Sequence, residues 1–343
     1  MLRIGIIGVG NIAISSHLPN YKKLGSLVVL VAVSDNSRNF DKKQIEKYGT
    51  IIFYENYKEM LGKEKLDAVS ICVPNKYHCK VTLDSLEAGC HVLCEKPPAL
   101  SFEEASMMAE LAKKEHRILL FGFQFRLDSE VQLLKRYIDA EKLGNIYHCK
   151  ISAMRRRGIP GWGSYTSSDI QGGGALIDYG IHFLDVAMYL LGYKEIDFVL
   201  ANMHDQIGKQ PGIGFYGEWD DKAFEIEDYA NAYIKFKDDT SLYLETSFAA
   251  NIEEIEDTRI SFLGSKAGAQ LFPFKIFKEE MDHQVNMEPI ITKQNNREKL
   301  IAHFVECCLE KEKPIVKVEE AVFLQNMIDN LYESNKIADR IKF

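Results

Sequence analysis

The sequence lacks an excess of basic charge and a long apolar run. Its 343 residues hold 42 Lys and Arg against 50 Asp and Glu, a net charge of −8. This acidic balance argues against a nucleic-acid or anionic-membrane partner. The longest uninterrupted apolar run, residues 27–33, is much shorter than the ~20 residues that cross a bilayer. No signal-peptide pattern precedes the first glycines.

Paired cysteine motifs are also absent. The chain has seven cysteines, and none forms a C-x-x-C pair. A zinc site is therefore improbable, and we expect that the protein needs no metal. Reduced thiols in a cytoplasmic protein are the simplest interpretation.

The pattern of apolar segments divides the chain in two. Over 1–123, continuous β-rich runs such as Leu2–Ile7 and Val28–Ser34 alternate with amphipathic stretches, which predicts a doubly wound parallel sheet. Over 124–343, alternating strands follow a helix expected at Ala175–Leu191, which predicts an α+β domain with a large open, mostly antiparallel sheet. We expect a dinucleotide-binding domain first and a substrate-binding and oligomerisation domain second.

A glycine-rich turn follows the first predicted strand. It has the form G-x-G-x-x-A, with Gly8, Gly10 and Ala13, and opens a helix. Gly8 permits a tight turn, Gly10 lets backbone approach a pyrophosphate, and Ala13 allows close helix–strand packing. The helix N-terminus at Asn11 and Ile12 offers N–H groups to phosphate. An ordinary αβ turn is the alternative.

The end of the second predicted strand bears on cofactor choice. Asp35 stands there, where a carboxylate can accept hydrogen bonds from an adenosine ribose and repels a 2′-phosphate. Arg38, with Ser34 and Ser37, could instead bind that phosphate. We expect NAD to be preferred, with NADP possible.

Three polar residues share a spacing within the predicted helix Ala175–Leu191. Asp178, His182 and Asp185 fall at i, i+4 and i+7, on one face of an α-helix. A carboxylate one turn from an imidazole suits a general base. A buried histidine satisfied by an aspartate, or two metal ligands, would show the same spacing.

Four segments together resemble one family. They are GVGNIA (8–13), CVPNKYH (72–78), AGCHVLCEKP (88–97) and GGGALIDYGIH (172–182), supported by 226–230 and 262–268. They resemble the glucose-fructose oxidoreductase and inositol dehydrogenase (Gfo/Idh/MocA) family of NAD(P)-dependent sugar oxidoreductases. The resemblance implies a Rossmann domain and hydride transfer between nicotinamide and a secondary alcohol of a sugar, sugar derivative or inositol.

The resemblance also implies site residues. It places catalysis at Lys96, Asp178 and His182, and it puts the glycines at 172–174 beside nicotinamide and substrate. Glu95 is expected to hold the cofactor or Lys96, although Lys96 could simply pair with Glu95 at the surface. His78 would cap a helix near the cofactor or be a solvated first-turn residue. The cofactor is further expected to contact Cys72, Val73, Pro74, Asn75 and Gln124.

The remaining candidates for substrate binding lie after residue 123, in the predicted second domain. Gln124 could reach the substrate, whereas Arg126 is as easily explained as a domain-interface ion pair. Arg156, in the run at 155–157, and Trp162 could bind an anion or hydroxyl array and stack on a sugar face. A solvated basic strand end is the alternative.

Two other functions share these features. An NAD-dependent glycosidase of the same fold would oxidise its substrate only transiently, and a dinucleotide-sensing regulator would not turn it over. The presence of both Lys96 and His182 argues against the regulator. We expect a homodimer or homotetramer formed through the C-terminal sheet, because that sheet has one face to cover.

Overall fold

The computed structural model describes residues 1–37 and 43–343. Contacts group these residues into two units, each described by itself below. The first unit contains Met1–Gln124 and Asn295–Gln325, and the second contains Phe125–Gln294 and Asn326–Phe343. The return of Asn295–Gln325 to the first unit is not anticipated by a division at residue 123.

The first unit is built on a six-stranded parallel sheet with the order β3-β2-β1-β4-β5-β6. The strand order reverses between β1 and β4, which is where ligands bind in doubly wound sheets. The predicted parallel sheet is confirmed. Its strands are β1 (Leu2–Ile7), β2 (Val28–Ser34), β3 (Ile52–Tyr54), β4 (Ala68–Ile71), β5 (His91–Cys94) and β6 (Leu119–Phe121).

Helices alternate with these strands, and their ends follow local side-chain chemistry. Ser101, for example, accepts a hydrogen bond from the Glu104 N–H, as an N-cap residue does. The helices of this unit before residue 124 are α1 (Leu18–Lys23), α2 (Lys43–Glu46), α3 (Tyr57–Lys63), α4 (His78–Glu87) and α5 (Phe102–Lys114). Later helices are α6 (Ser129–Asp139), α7 (Ser168–Gln171), α8 (Ile181–Leu191), α9 (Asn296–Cys308) and α10 (Val318–Ile337).

The second unit is built on a nine-stranded sheet with the order β16-β15-β14-β13-β7-β12-β11-β8-β17. Neighbouring strands are antiparallel except for β7 and β12, which run parallel, so the predicted mostly antiparallel sheet is confirmed. Its strands are β7 (Ile146–Arg155), β8 (Ile196–His204), β11 (Tyr229–Phe236), β12 (Ser241–Ser247), β13 (Glu256–Gly264), β14 (Ala267–Leu271), β15 (Lys275–Glu280), β16 (His283–Met287) and β17 (Ile341–Lys342). A separate hairpin pairs β9 (Ile213–Gly214) with β10 (Gly217–Glu218).

Helix α8 covers one face of this sheet and forms the core of the second unit. The segment Ser168–Leu191, which includes α8, is long enough and apolar enough to cross a membrane. Most of it is buried within the protein. Ile151 and Ala153 of β7 are fully buried beneath the helix. The predicted regular helix at Ala175–Leu191 is partly wrong, because Leu176–Gly180 forms a π-helical turn before α8 begins.

A buried ion pair anchors α8 within the second unit. Arg126 is fully buried, and its Nε lies 3.1 and 3.0 Å from the two carboxylate oxygens of Asp185. Its Nη2 also donates to Asp185 (2.6 Å) and to the Tyr193 hydroxyl. The guanidinium lies over the Tyr189 and Tyr193 rings. Arg126 therefore pairs inside this unit rather than at a domain interface, and Asp185 has a structural role there.

Candidate functional site

The glycine-rich turn after β1 has the conformation that phosphate binding requires. Gly8 has a φ of +90°, and a Cβ there would lie 2.5 Å from the Cys72 carbonyl oxygen. At Gly10, by contrast, a Cβ would meet no atom within 4 Å. Packing within the described residues therefore demands glycine at position 8 but not at position 10. The open space above Gly10 fits the predicted approach of a pyrophosphate.

Asp35 is tied to that same turn. Its Oδ2 accepts a hydrogen bond from the Val9 N–H (2.6 Å), and its Oδ1 accepts from the backbone N–H (2.7 Å) and hydroxyl (2.6 Å) of Ser37. Each carboxylate oxygen has two lone pairs, so the carboxylate retains capacity for a ribose hydroxyl. Arg38, the residue that could favour NADP, lies outside the described residues 1–37 and 43–343.

His78 fixes the turn that follows β4. This histidine is almost fully buried, with Nδ1 2.7 Å from the Pro97 carbonyl oxygen and Nε2 3.0 Å from that of Val73. Burial lowers its pKa, against the effect of the two carbonyls. The expectation of a solvated first-turn residue is wrong. Because both ring nitrogens face backbone, His78 positions the turn at 72–75 rather than offering a nitrogen to a ligand.

Glu95 has a partner that the sequence did not indicate. Its Oε1 lies 2.9 Å from Nε2 of buried His17, in the π-helical turn Ala13–His17 that follows the glycine-rich turn. Burial favours a raised pKa for Glu95, but the hydrogen bond and charge of His17, with the charges of Arg297 and Lys96, hold its pKa below the ordinary value. Glu95 thus fixes the helix predicted to bind phosphate. Partly buried Lys96 follows Glu95 in the sequence.

The parallel sheet gathers these residues at one edge. The turn at Gly8, Asp35, the turn at Cys72, the Glu95–Lys96 pair and Gln124 all follow the carboxyl ends of strands that run side by side. This is the edge at which doubly wound sheets bind ligands. The structure therefore collects the predicted cofactor residues of the first unit, apart from Arg38, into one region.

In the second unit, a buried carboxylate holds the start of the segment that carries Asp178 and His182. Glu227 accepts hydrogen bonds from the backbone N–H groups of Gly174 (2.8 Å) and Leu176 (2.9 Å) and from the Tyr332 hydroxyl (2.9 Å). Burial raises the pKa of Glu227, although these hydrogen bonds oppose the rise. Negative charge at a helix N-terminus also stabilises the helix.

The glycines that precede this segment lie very close to Glu227 and Tyr332. A Cβ at Gly173 would lie 1.9 Å from the Tyr332 hydroxyl, and one at Gly174 would lie 2.1 Å from the Glu227 carbonyl oxygen. These glycines therefore let the backbone approach Glu227 and Tyr332. Their expected place beside nicotinamide and substrate stays a prediction.

Asp178 and His182 do not share one regular α-helical face. Asp178 lies in the π-helical turn Leu176–Gly180, and His182 follows in α8. Single π-helical turns are common at functional sites because they redirect side chains. His182 is 9% exposed, and the Phe125 ring meets its imidazole edge to face at 5.3 Å. The assignment of a catalytic pair to these two residues stays a prediction.

Arg156 and Trp162 have different neighbours in the structure, and their role in substrate binding stays a prediction. Arg156 is exposed, and its Nη1 donates to the Glu253 carbonyl oxygen (3.2 Å). Trp162 is 45% exposed and contacts the rings of Tyr165 and Tyr216. It is Arg155, not Arg156, whose guanidinium lies near Tyr216.

Metal binding has no visible basis in the part of the chain that the structure describes. Within residues 1–37 and 43–343, no cluster of three His, Cys, Asp or Glu side chains could hold a metal ion. The expectation that no metal is required stays a prediction.

Sequence reasoning missed three positioning residues, His17, Glu227 and Tyr332. Glu227 lies in a segment that contributed to the family resemblance, but nothing in its spacing indicates three converging donors. His17 and Tyr332 could not be paired with their carboxylates, because those partners lie 78 and 105 residues away.

Two family models match most of the chain. Residues 2–123 match the Gfo/Idh/MocA model described as "Oxidoreductase family, NAD-binding Rossmann fold". Residues 135–342 match the companion model described as "Oxidoreductase family, C-terminal alpha/beta domain".

Individual relatives agree with these matches. A D-glucoside 3-dehydrogenase of Escherichia coli (strain K12) is 38% identical over 99% of this chain and 97% of its own length. A glucose-6-phosphate 3-dehydrogenase of Bacillus subtilis (strain 168) is 31% identical over 72% of this chain and 68% of its own. A solved levoglucosan dehydrogenase in complex with NADH has the same fold, with a TM-score of 0.85, 18% identity and coverage of 99% and 98%.

We predict that Gly10→Ala weakens NAD⁺ binding by about tenfold or more, because the new methyl group occupies the space that a pyrophosphate needs. Unfolding stability should change by less than about 1 kcal/mol, since no protein atom lies near that methyl. Calorimetric titration of NAD⁺ and urea unfolding measure the two effects. The matched control is Gly62→Ala in α3, which also meets no atom. It should leave NAD⁺ affinity unchanged, and equal affinities for all three proteins would contradict the phosphate assignment.

We predict that Glu227→Gln lowers the free energy of unfolding by about 1.5–3 kcal/mol. An amide leaves one of the converging donors facing its NH₂ group, and charge-assisted hydrogen bonds are lost. Glu225→Gln is the control, because Glu225 is an exposed carboxylate two residues earlier and should cost less than about 0.5 kcal/mol. Urea unfolding compares the variants. Equal losses in the free energy of unfolding would show that the buried contact adds no stability beyond that of an exposed carboxylate.

Proposed function

Because the chain belongs to the Gfo/Idh/MocA oxidoreductase family, we propose that it oxidises a secondary ring hydroxyl of a D-glucoside with NAD⁺ as the hydride acceptor. The observation that carries this proposal is the likeness to a D-glucoside 3-dehydrogenase over 99% of the chain. Hydroxyl-bearing relatives of the glucosyl ring, including sugar phosphates and inositols, form the wider substrate class.

Different residues of this chain bind the cofactor and transfer the proton. The turn at Gly8 and Gly10 holds the pyrophosphate, and Asp35 holds the adenosine ribose. A bound nicotinamide would supply the acceptor for the hydride of the carbinol carbon. His182 takes the hydroxyl proton, Asp178 orients His182, and Lys96 donates a hydrogen bond to the reacting oxygen. The products are a ring ketone, NADH and one proton.

A product assay tests the proposal and separates it from the glycosidase alternative. Methyl and phenyl D-glucosides, D-glucose, glucose 6-phosphate and myo-inositol are each incubated with NAD⁺. We expect NADH and a ketone in equal amounts with at least one glucoside. Release of the aglycone without net NADH would indicate a glycosidase, and no change in any substrate would favour a dinucleotide-sensing regulator.

We predict that His182→Ala and Lys96→Ala each lower kcat by roughly 100- to 10,000-fold, the range typical for loss of an acid–base group. NAD⁺ affinity should change little, because neither residue belongs to the phosphate-binding turn. Stopped-flow or steady-state NADH formation and NAD⁺ titration measure the two effects. His283→Ala, on exposed strand β16, is the control. If the kcat of His182→Ala stayed within tenfold of the wild-type value, the assignment of His182 as the general base would be wrong.

We also propose that the protein is a homodimer or homotetramer assembled through the uncovered face of the nine-stranded sheet. Strand pairing sets Tyr233 directly between Leu200 and Tyr243 on that face, and large apolar side chains continue along it. Exposed apolar patches of this kind mark association surfaces. The apolar residues on the face are Phe198, Leu200, Tyr233, Tyr243, Leu263 and Phe277.

We predict that Tyr233→Glu shifts the oligomer toward monomer, because burial of an unpaired carboxylate in an apolar interface is costly. Light scattering coupled to gel filtration measures the mass at matched concentrations. Lys237→Glu, in the exposed turn after β11, should leave the mass unchanged. A wild-type protein that is monomeric at micromolar concentration would rule out the interface.

The remaining expectations concern the setting of the enzyme. We propose a cytoplasmic location, supported by seven free, buried cysteines. The net charge of −8 supports the absence of nucleic-acid and membrane partners.

A further inference from the structure

Four aromatic side chains cluster in the second unit, just beyond the end of β7. Trp162 and Tyr165 come from the loop that follows β7, and Phe215 and Tyr216 form the turn of the β9–β10 hairpin. The Trp162 ring centroid lies 5.1 Å from that of Tyr216 and 5.8 Å from that of Tyr165. Phe215 and Tyr216 are 4.8 Å apart. We call these four residues the aromatic cluster.

The aromatic cluster is open to solvent although its rings are large and apolar. Trp162 is 45% exposed, Phe215 47% and Tyr216 39%. The rings meet at interplanar angles of 65–90°, so none is stacked flat over another. Trp219, the other tryptophan of the chain, is buried, with its indole N–H donated to the Gly208 carbonyl oxygen. Exposed aromatic rings held together in this way are typical of a binding surface.

Close backbone packing fixes the two segments that carry the rings. A Cβ at Gly161 would lie 1.9 Å from the Glu218 carbonyl oxygen, and one at Gly214 would lie 2.5 Å from that of Arg157. The Phe215 N–H also donates to the Arg157 carbonyl oxygen (3.1 Å). The cluster is therefore organised before any ligand arrives, which lowers the entropic cost of binding.

Arg155 links the cluster to the turn that carries Asp178. Its guanidinium carbon lies 3.7 Å from the ring centroid of Tyr179 and 5.8 Å from that of Tyr216. Tyr179 directly follows Asp178 in the sequence. The cluster and the predicted catalytic segment thus lie on either side of one side chain, within the same unit.

The cluster is not part of the proposed oligomer face. Arg155 lies on the same face of the sheet as Ile151 and Ala153, which are buried beneath α8. The face with Tyr233 and Tyr243 is the opposite one, since Tyr243 pairs with Lys150 in the register. A second copy bound to that face would therefore leave the cluster uncovered.

We propose that the aromatic cluster binds the aglycone ring of a glycoside whose glucosyl ring is oxidised near Asp178 and His182. This inference rests on the proposed function for the position of the glucosyl ring. A six-membered aglycone, aromatic or pyranose, has a broad apolar face that packs on aromatic rings. The Arg155 guanidinium can donate to sugar hydroxyl groups beside the glycosidic bond that links the two rings. The substrates are accordingly glycosides with a ring-shaped aglycone, rather than free monosaccharides.

The first test compares a ring-bearing aglycone with a ringless one. The probes are phenyl and methyl D-glucopyranosides, in both anomers, and kcat/KM is measured with saturating NAD⁺. For the wild type we expect the phenyl glucoside of the accepted anomer to be favoured by roughly tenfold. Trp162→Ala should abolish that preference, through a lower kcat/KM for the phenyl glucoside. Tyr216→Ser provides a second variant, and Tyr147→Ala, an exposed aromatic at the start of β7, is the control that should keep the preference.

The second test needs no turnover and so separates this inference from the proposed function. Phenyl glucoside should quench tryptophan fluorescence in the wild type with saturable dependence on concentration, whereas methyl glucoside should not. The quenching should disappear in Trp162→Ala, in which only buried Trp219 remains. If no glucoside is oxidised but this response holds, the proposed reaction is wrong and the aglycone site stands. Identical phenyl-to-methyl ratios and identical quenching in wild type and Trp162→Ala would overturn the inference.

Discussion

A single buried carboxylate, Glu227, fixes the segment on which Asp178 and His182 stand. Three donors converge on it: two backbone N–H groups at the start of that segment and the hydroxyl of Tyr332 in α10. Their approach leaves no room for a Cβ at Gly173 or Gly174. The glycines, the carboxylate and the tyrosine therefore form one constraint. The π-helical turn that carries Asp178 begins at this constraint.

The first unit uses carboxylates in a related way. Glu95 holds His17, and Asp35 holds the Val9 N–H, so both acids position the glycine-rich turn and the helix that follows it. The space above Gly10 is meanwhile left open. In both units a π-helical turn lies next to the candidate binding residues, at Ala13–His17 and at Leu176–Gly180. In both units, side chains thus hold the backbone next to the candidate binding residues.

The sequence predicted the parallel strands well because runs such as Val28–Ser34 are apolar on both faces and bounded by turn residues. It also predicted the glycine-rich turn, whose residues are consecutive. It did less well with Asp178 and His182, because i, i+4 spacing implies one face only on a regular α-helix. The partners of His78 and Glu95 were not predicted, because spacing along the chain does not reveal them.

Local chemistry was therefore determined by the sequence alone: the two sheet types, the phosphate-binding turn, the N-cap at Ser101 and the family to which the motifs belong. Tertiary structure alone decided which polar groups meet. It buried Arg126 against Asp185, set three donors on Glu227, and gathered the aromatic cluster from a loop and a hairpin about 50 residues apart. The physical reason is that periodicity and turn propensity act over a few residues, whereas burial requires each polar group to find a partner anywhere in the fold.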